Sequence, residues 1–176
     1  MTTGIRLSAL LIAAAGFCVS HASAQAPAQA AAQIPAAVAA PGEHTIATFQ
    51  GVGAQIYECK AGADGKLAWV FREPIAALID NGKTVGRHYT GPTWEDVDSS
   101  KIIGKAVGNA PGSTADDIPW LKLDVVRHQG RGILSRATTV QRLDTHGGAL
   151  QGGCDKSGDF RSNAYSATYV FLNKGK

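Results

Sequence analysis

The densest concentration of chemistry-bearing side chains is the run His88-Tyr89-Thr90-Gly91-Pro92-Thr93-Trp94-Glu95, which sets an imidazole, two aromatic rings and a carboxylate around a Gly-Pro turn. Asp96 and Asp98 follow directly. An imidazole oriented by a carboxylate is the smallest unit that does general acid/base chemistry. His88 and Glu95 are therefore the pair that an enzyme of unassigned chemistry would use, with or without a metal. The same run also reads as a binding surface. His88, Tyr89, Trp94 and Glu95, joined by Trp120, are the binding candidates, since Trp94 and Trp120 each lie beside a proline-containing loop and flat rings suit sugars when exposed. The plainer reading is that Gly91-Pro92 shapes a loop, Trp94 fills the core and the acids face water.

Other chemistry finds less support. His88, His128 and His146 with Asp96 or Asp116 have metal-ligand side chains, but no pair has the short spacing of a structural site, so no metal and no cofactor is assigned. Asp116-Asp117 lacks the alternating oxygen ligands of a calcium loop. Gly51-Val52-Gly53 begins a dinucleotide fingerprint, yet Ile56 stands at its third glycine position and no helix follows. There is no Gly-x-Ser-x-Gly elbow and no phosphate-binding loop.

The elements that position these residues read as short β-forming segments punctuated by Gly, Pro, Asn and Asp. Strands are expected over 44–49, 54–60, 67–72, 77–80, 83–88, 101–107, 120–128, 133–144 and 164–172. Asn81-Gly82 between two of them is a tight-hairpin signature. Leu67, Trp69 and Phe71 alternate with smaller or polar residues and are expected on a core face, as are Leu121, Leu123 and Val125 opposite Lys122, Asp124 and His128. Helical periodicity is nearly absent. The expected fold is mostly β: a single antiparallel β-sandwich or small β-barrel with long loops.

The chain begins with the parts of a secretory signal: Arg6, the apolar run Leu7 to Val19 and the small residues Ala22-Ser23-Ala24. An apolar run of about 13 residues is short of the roughly 20 that span a bilayer, so a retained anchor is not expected. The predicted organisation is a signal peptide over 1–24, an Ala/Pro-rich, disordered and flexible spacer over 25–42, and a β domain over 43–176. Export removes Cys18 and leaves Cys59 and Cys154 in an oxidising compartment, where they are expected to pair. Closing so long a loop is worth on the order of 4–5 kcal/mol in the chain-entropy model. Sixteen basic and fourteen acidic side chains remain after Arg6 departs, too balanced for a nucleic-acid surface.

Five blocks in this order carry a resemblance: Ala54-Gln55-Ile56-Tyr57-Glu58-Cys59, Trp69-Val70-Phe71, Val85 to Glu95, Ile118-Pro119-Trp120-Leu121 and Gly152-Gly153-Cys154-Asp155. Together they resemble family 3455 of the domains of unknown function, found in secreted bacterial and fungal proteins, over about residues 43–171. The resemblance implies no activity to carry over. It supports the Cys59–Cys154 pairing and treats Gly91, Pro92 and Trp94 as one unit. The reading that follows is a periplasmic or extracellular binding or interaction domain presenting the His88 to Glu95 loop. Its partner would be a glycan, a cell-envelope component or another protein.

Overall fold

The computed structural model describes Met1 and residues 33–175; residues 2–32 and 176 lie outside it, and with them the cleavage site and most of the expected signal peptide and the first part of the spacer. Eight strands follow in order: β1 (His44–Ala61), β2 (Leu67–Asp80), β3 (Lys83–Tyr89), β4 (Thr93–Asp96), β5 (Lys101–Ala110), β6 (Trp120–Gln129), β7 (Thr139–Gly147) and β8 (Phe160–Asn173). Each pairs antiparallel with the next, and β8 returns to β1, so the sheet closes as a barrel rather than a sandwich. Eight strands give an interior that side chains fill or that holds one small ligand.

Two pairs of expected strands fuse. Residues 44–49 and 54–60 are one strand running through Gly51 and Gly53, because a Cβ at Gly51 would strike the Tyr169 ring at 2.4 Å. The two glycines are cut-outs for packing in mid-strand, not a nucleotide turn. Residues 67–72 and 77–80 likewise join through Pro74. Pro74 is tolerated because the last β2–β3 pair is Ala76 with His88, so above it β2 has β1 as its strand partner. Asn81 and Gly82 form the expected turn, with φ of 46° and 74°.

The interior carries the core. Phe49, Leu78, Ile102, Leu123, Val140 and Phe171 are buried there around Trp94 and Tyr169. The lower end is where β2, β4 and β6 finish. There a short 3-10 turn, Ile133–Arg136, replaces the expected start of a strand and inserts the fully buried Leu134 as a plug. Asp98 holds that turn: its Oδ2 accepts from Ile133 N at 2.7 Å and its Oδ1 from Ser100 N at 2.8 Å.

Of the stretch read as a flexible spacer, residues 33–42 are described, and they pack on the outside of the barrel. Val38, in the 3-10 turn Ala36–Val38, is fully buried in a small outer cluster with Ala110, Trp120 and Leu143. Gln141 Nε2 donates to Val38 O at 2.6 Å and Lys122 Nζ to Ala39 O at 3.1 Å. The contacts of this stretch with the barrel centre on Val38 and Ala39, whereas residues 33–37 are exposed.

Cys59 near the end of β1 and Cys154 in the β7–β8 loop form a disulfide, with Cα atoms 5.9 Å apart. Backbone bonds from Cys59 N to Asp159 O and from Gly158 N to Cys59 O, both 2.9 Å, fix the same junction. No helix among the described residues is long and apolar enough to cross a membrane.

Candidate functional site

The β3–β4 hairpin decides where the sequence-predicted residues go. Its register pairs Arg87 with Glu95, His88 with Trp94 and Tyr89 with Thr93. Directly paired residues share a face and successive residues alternate, so His88 and Trp94 point into the barrel while Tyr89 and Glu95 point out. The expected acid/base pair of His88 and Glu95 is thus split across the two faces of the sheet.

Inside, the His88 ring stacks on Trp94 with centroids 4.5 Å apart and planes 12° from parallel. His88 Nδ1 lies 2.8 Å from the Thr93 carbonyl. A carbonyl only accepts, so Nδ1 carries the proton and Nε2 is the ring's acceptor. Burial lowers the His88 pKa from 6.5 to about 4, the Thr93 bond opposing and the Arg142 charge reinforcing the shift. A neutral imidazole held that low is a poor proton acceptor near neutrality.

Outside, Tyr89 Oη donates to Glu95 Oε2 at 2.7 Å, and Arg87 reaches the same oxygen through Nη2 at 3.1 Å. The Tyr89 bond is the main reason the Glu95 pKa is lowered, and the same bond raises that of Tyr89. Arg87 and Glu95 thus satisfy each other at the surface, beside a shallow hollow of about 430 Å³ that they line together with Asp96 and Val97.

The two candidate sugar platforms are not exposed. Trp94 is 1% and Trp120 7% accessible, Trp94 filling the barrel and Trp120 lying on the outer wall beneath Val38. Trp69, expected in the core, is half-buried at the upper rim with the Arg161 guanidinium 5.2 Å from its ring centroid. Phe71, expected in the core with it, is half exposed at the same rim. It shares a face with Tyr57 as its strand alternation predicts, but the barrel wall has opened at that height.

That opening is the candidate site. At the upper end, where β1, β3, β5 and β7 finish, β2 parts from β3 and leaves a cavity of about 390 Å³ running into the barrel. Phe71 and Pro74 form one side of its mouth and Gly91 and Pro92, the β3–β4 turn, the other. Leu121 and the buried Leu123 give an apolar wall with the exposed Ala106 at its edge, and the buried His88 and half-buried Arg142 supply the polar groups. Arg72 also lies at the mouth, where it pairs with Glu73 at 3.4 Å.

Arg142 escaped the sequence reading. It pairs with Leu121 on one side and Tyr169 on the other, and it alternates inward with Val140. The signal for it was slight: a cation two residues after Val140, at the parity of the core face, within a strand of mixed character. Its Nε and Nη2 both donate to the Pro119 carbonyl, at 3.0 and 2.8 Å. Burial lowers its pKa, while the phenols of Tyr169, Tyr165 and Tyr57 act in the opposite sense. Tyr165 Oη and Tyr169 Oη lie 3.0 Å apart.

Other titratable groups serve the scaffold. Asp117 Oδ1 accepts from Gly147 N at 2.6 Å and its Oδ2 from Thr114, tying the β5–β6 loop to β7. The His128 Nε2 lies 2.6 Å from the Ala137 carbonyl, and no group of three or more His, Cys, Asp or Glu converges on a metal-sized site among the described residues.

Neither a curated protein nor a solved structure matches the chain. A family model described as a protein of unknown function (DUF3455) matches residues 39–173, a span that takes in all eight strands, the disulfide cysteines Cys59 and Cys154 and every residue lining the cavity. The chain belongs to the DUF3455 family.

Proposed function

We propose that this protein is an exported binding domain that receives a small, largely apolar molecule in the mouth of its barrel. The observation that carries the reading is the cavity itself. It is about 390 Å³, within the range of small-molecule sites, with apolar walls and two polar side chains, the buried His88 and the half-buried Arg142, among its lining. Gly91-Pro92 contributes to the mouth, so part of the loop singled out in the sequence belongs to the site, together with His88. Glu95 and Trp120 face elsewhere. Export rests on the leader over 1–24 and on the disulfide, which persists in an oxidising compartment.

Binding is favoured over catalysis because the one imidazole in the cavity has its Nδ1 proton committed to Thr93 and a pKa of about 4. Two measurements test the proposal. Leu121→Trp, which fills the cavity, should abolish the thermal stabilisation that a panel of small amphipathic compounds gives the purified protein; stabilisation that survives the substitution places the ligand elsewhere. Mass analysis of protein recovered from outside the cytoplasm should show Gln25 as the first residue, and recovery only from the cytoplasm with Met1 retained would remove the export claim.

A further inference from the structure

Within the cavity, the charge of Arg142 is unbalanced. Among the described residues no carboxylate lies within 4.0 Å of it, whereas Arg72 at the mouth has Glu73. A guanidinium has five N–H donors, and one carbonyl, Pro119 O, takes two of them. Arg142 is half-buried, and drawing a cation even partly out of water is costly unless partners of opposite charge replace the lost hydration. A neutral carbonyl and nearby phenols replace it only in part. The wall beside Arg142 has the opposite character: Leu121 is its direct neighbour on β6, and Leu123, Pro74 and Phe71 line the same cavity.

We infer that the cavity takes a monocarboxylic acid with a hydrocarbon body, its carboxylate on the Arg142 guanidinium and its tail along Leu121, Leu123 and Pro74 toward Phe71. This deepens the binding reading above and rests on it. A guanidinium presents a planar fork that suits a carboxylate. One unbalanced cation matches one negative charge, which favours a carboxylate over a phosphate monoester carrying nearly two. The volume, near the lower end for small-molecule sites, suits a body the size of a medium-length alkyl chain or a single aromatic ring.

The test is titration calorimetry of the purified protein with octanoate, octanamide, octylammonium and octyl phosphate, repeated with 3-phenylpropanoate and its amide. Octanoate or 3-phenylpropanoate should bind at least tenfold more tightly than its amide, octylammonium most weakly, and octyl phosphate more weakly than octanoate. Arg142→Gln should bring the acid down to the affinity of its amide and leave the amide unchanged, with Arg142→Lys in between; far-ultraviolet circular dichroism of both variants checks that the barrel is intact. Should Arg142→Gln fail to fold, the acid-to-amide ratio in the wild-type protein decides alone. Acid and amide binding equally would overturn the carboxylate assignment and leave the cavity reading standing. Octyl phosphate binding as tightly as octanoate would also overturn it, and binding of none of the compounds would overturn both readings.

Discussion

The imidazole of His88 lies flat against the indole of Trp94, 4.5 Å away, with its Nδ1 proton given to the Thr93 carbonyl of the strand that carries Trp94. A neutral, stacked, mid-barrel histidine positions the β3–β4 hairpin, lines the cavity and couples stability to acidity.

The coupling has a definite sign. With a pKa of about 4 in the folded protein and 6.5 in the unfolded chain, the unfolded chain binds more protons between those values. Stability is therefore unaffected by this site above pH 6.5, falls as pH drops toward 4, and levels off below it. The loss is roughly 3 kcal/mol. Urea midpoints measured from pH 7.5 to 4 should show it, and His88→Phe should be less stable at pH 7 but with its deficit shrinking as pH falls. A deficit that stays constant over that range would refute the assignment.

Glu95, on the outer face, should behave as ordinary surface. Glu95→Gln should change stability by less than about 1 kcal/mol, as exposed ion pairs do, and leave ligand affinity untouched. The Tyr89 phenol, raised mainly by its bond to Glu95, should titrate at lower pH in the variant, which its ultraviolet absorbance reports. A loss of binding in Glu95→Gln would return this residue to the functional site.

Val38 tests the strap of chain outside the barrel. Val38→Asp places a carboxylate in a fully buried apolar position against Trp120, and should cost about 2 kcal/mol or more. The tryptophan emission should shift to the red as Trp120 meets water. Unchanged emission would mean that residues 33–42 do not shield the indole.

Removing the disulfide by the double substitution Cys59→Ser and Cys154→Ser should lower stability by about 2–5 kcal/mol. The β-sheet signal should persist, since backbone bonds at Cys59 already hold the loop. Free thiols in folded wild-type material would contradict the bridge.

What could be read from the sequence depended on strand length and on what lies beyond a strand. Alternation over Leu121 to Val125 assigned the inner face correctly because the segment is long enough to show its period. β4 is four residues, too few to show one, so the sequence suggests a loop there although Trp94 and Glu95 face opposite ways on a strand. Leu67, Trp69 and Phe71 do share an inward face, but periodicity cannot say where the wall stops, and these residues stand at the rim. Trp120 was judged by its own loop, while its cover comes from an alanine-rich stretch whose only signal was Val38. Gly51 and Pro74 looked like breaks because their tolerance depends on Tyr169 and on the parting of β2 from β3. Arg142 carries no motif, and in a strand as polar as Thr139–Gly147 a single arginine does not stand out.

The longest seam of the barrel joins the first strand to the last, from His44–Asn173 to Glu58–Phe160. Every other neighbouring pair is adjacent in sequence and can zip up as the chain emerges, but this one waits for Phe160–Asn173 to arrive. Until then β1 presents an unpaired edge through much of its 18 residues, the kind of surface that recruits foreign strands. A chain cut short before Phe160 would therefore be adhesive rather than merely inactive, and the terminal fourteen-residue strand acts as the clasp that makes the molecule safe to leave alone.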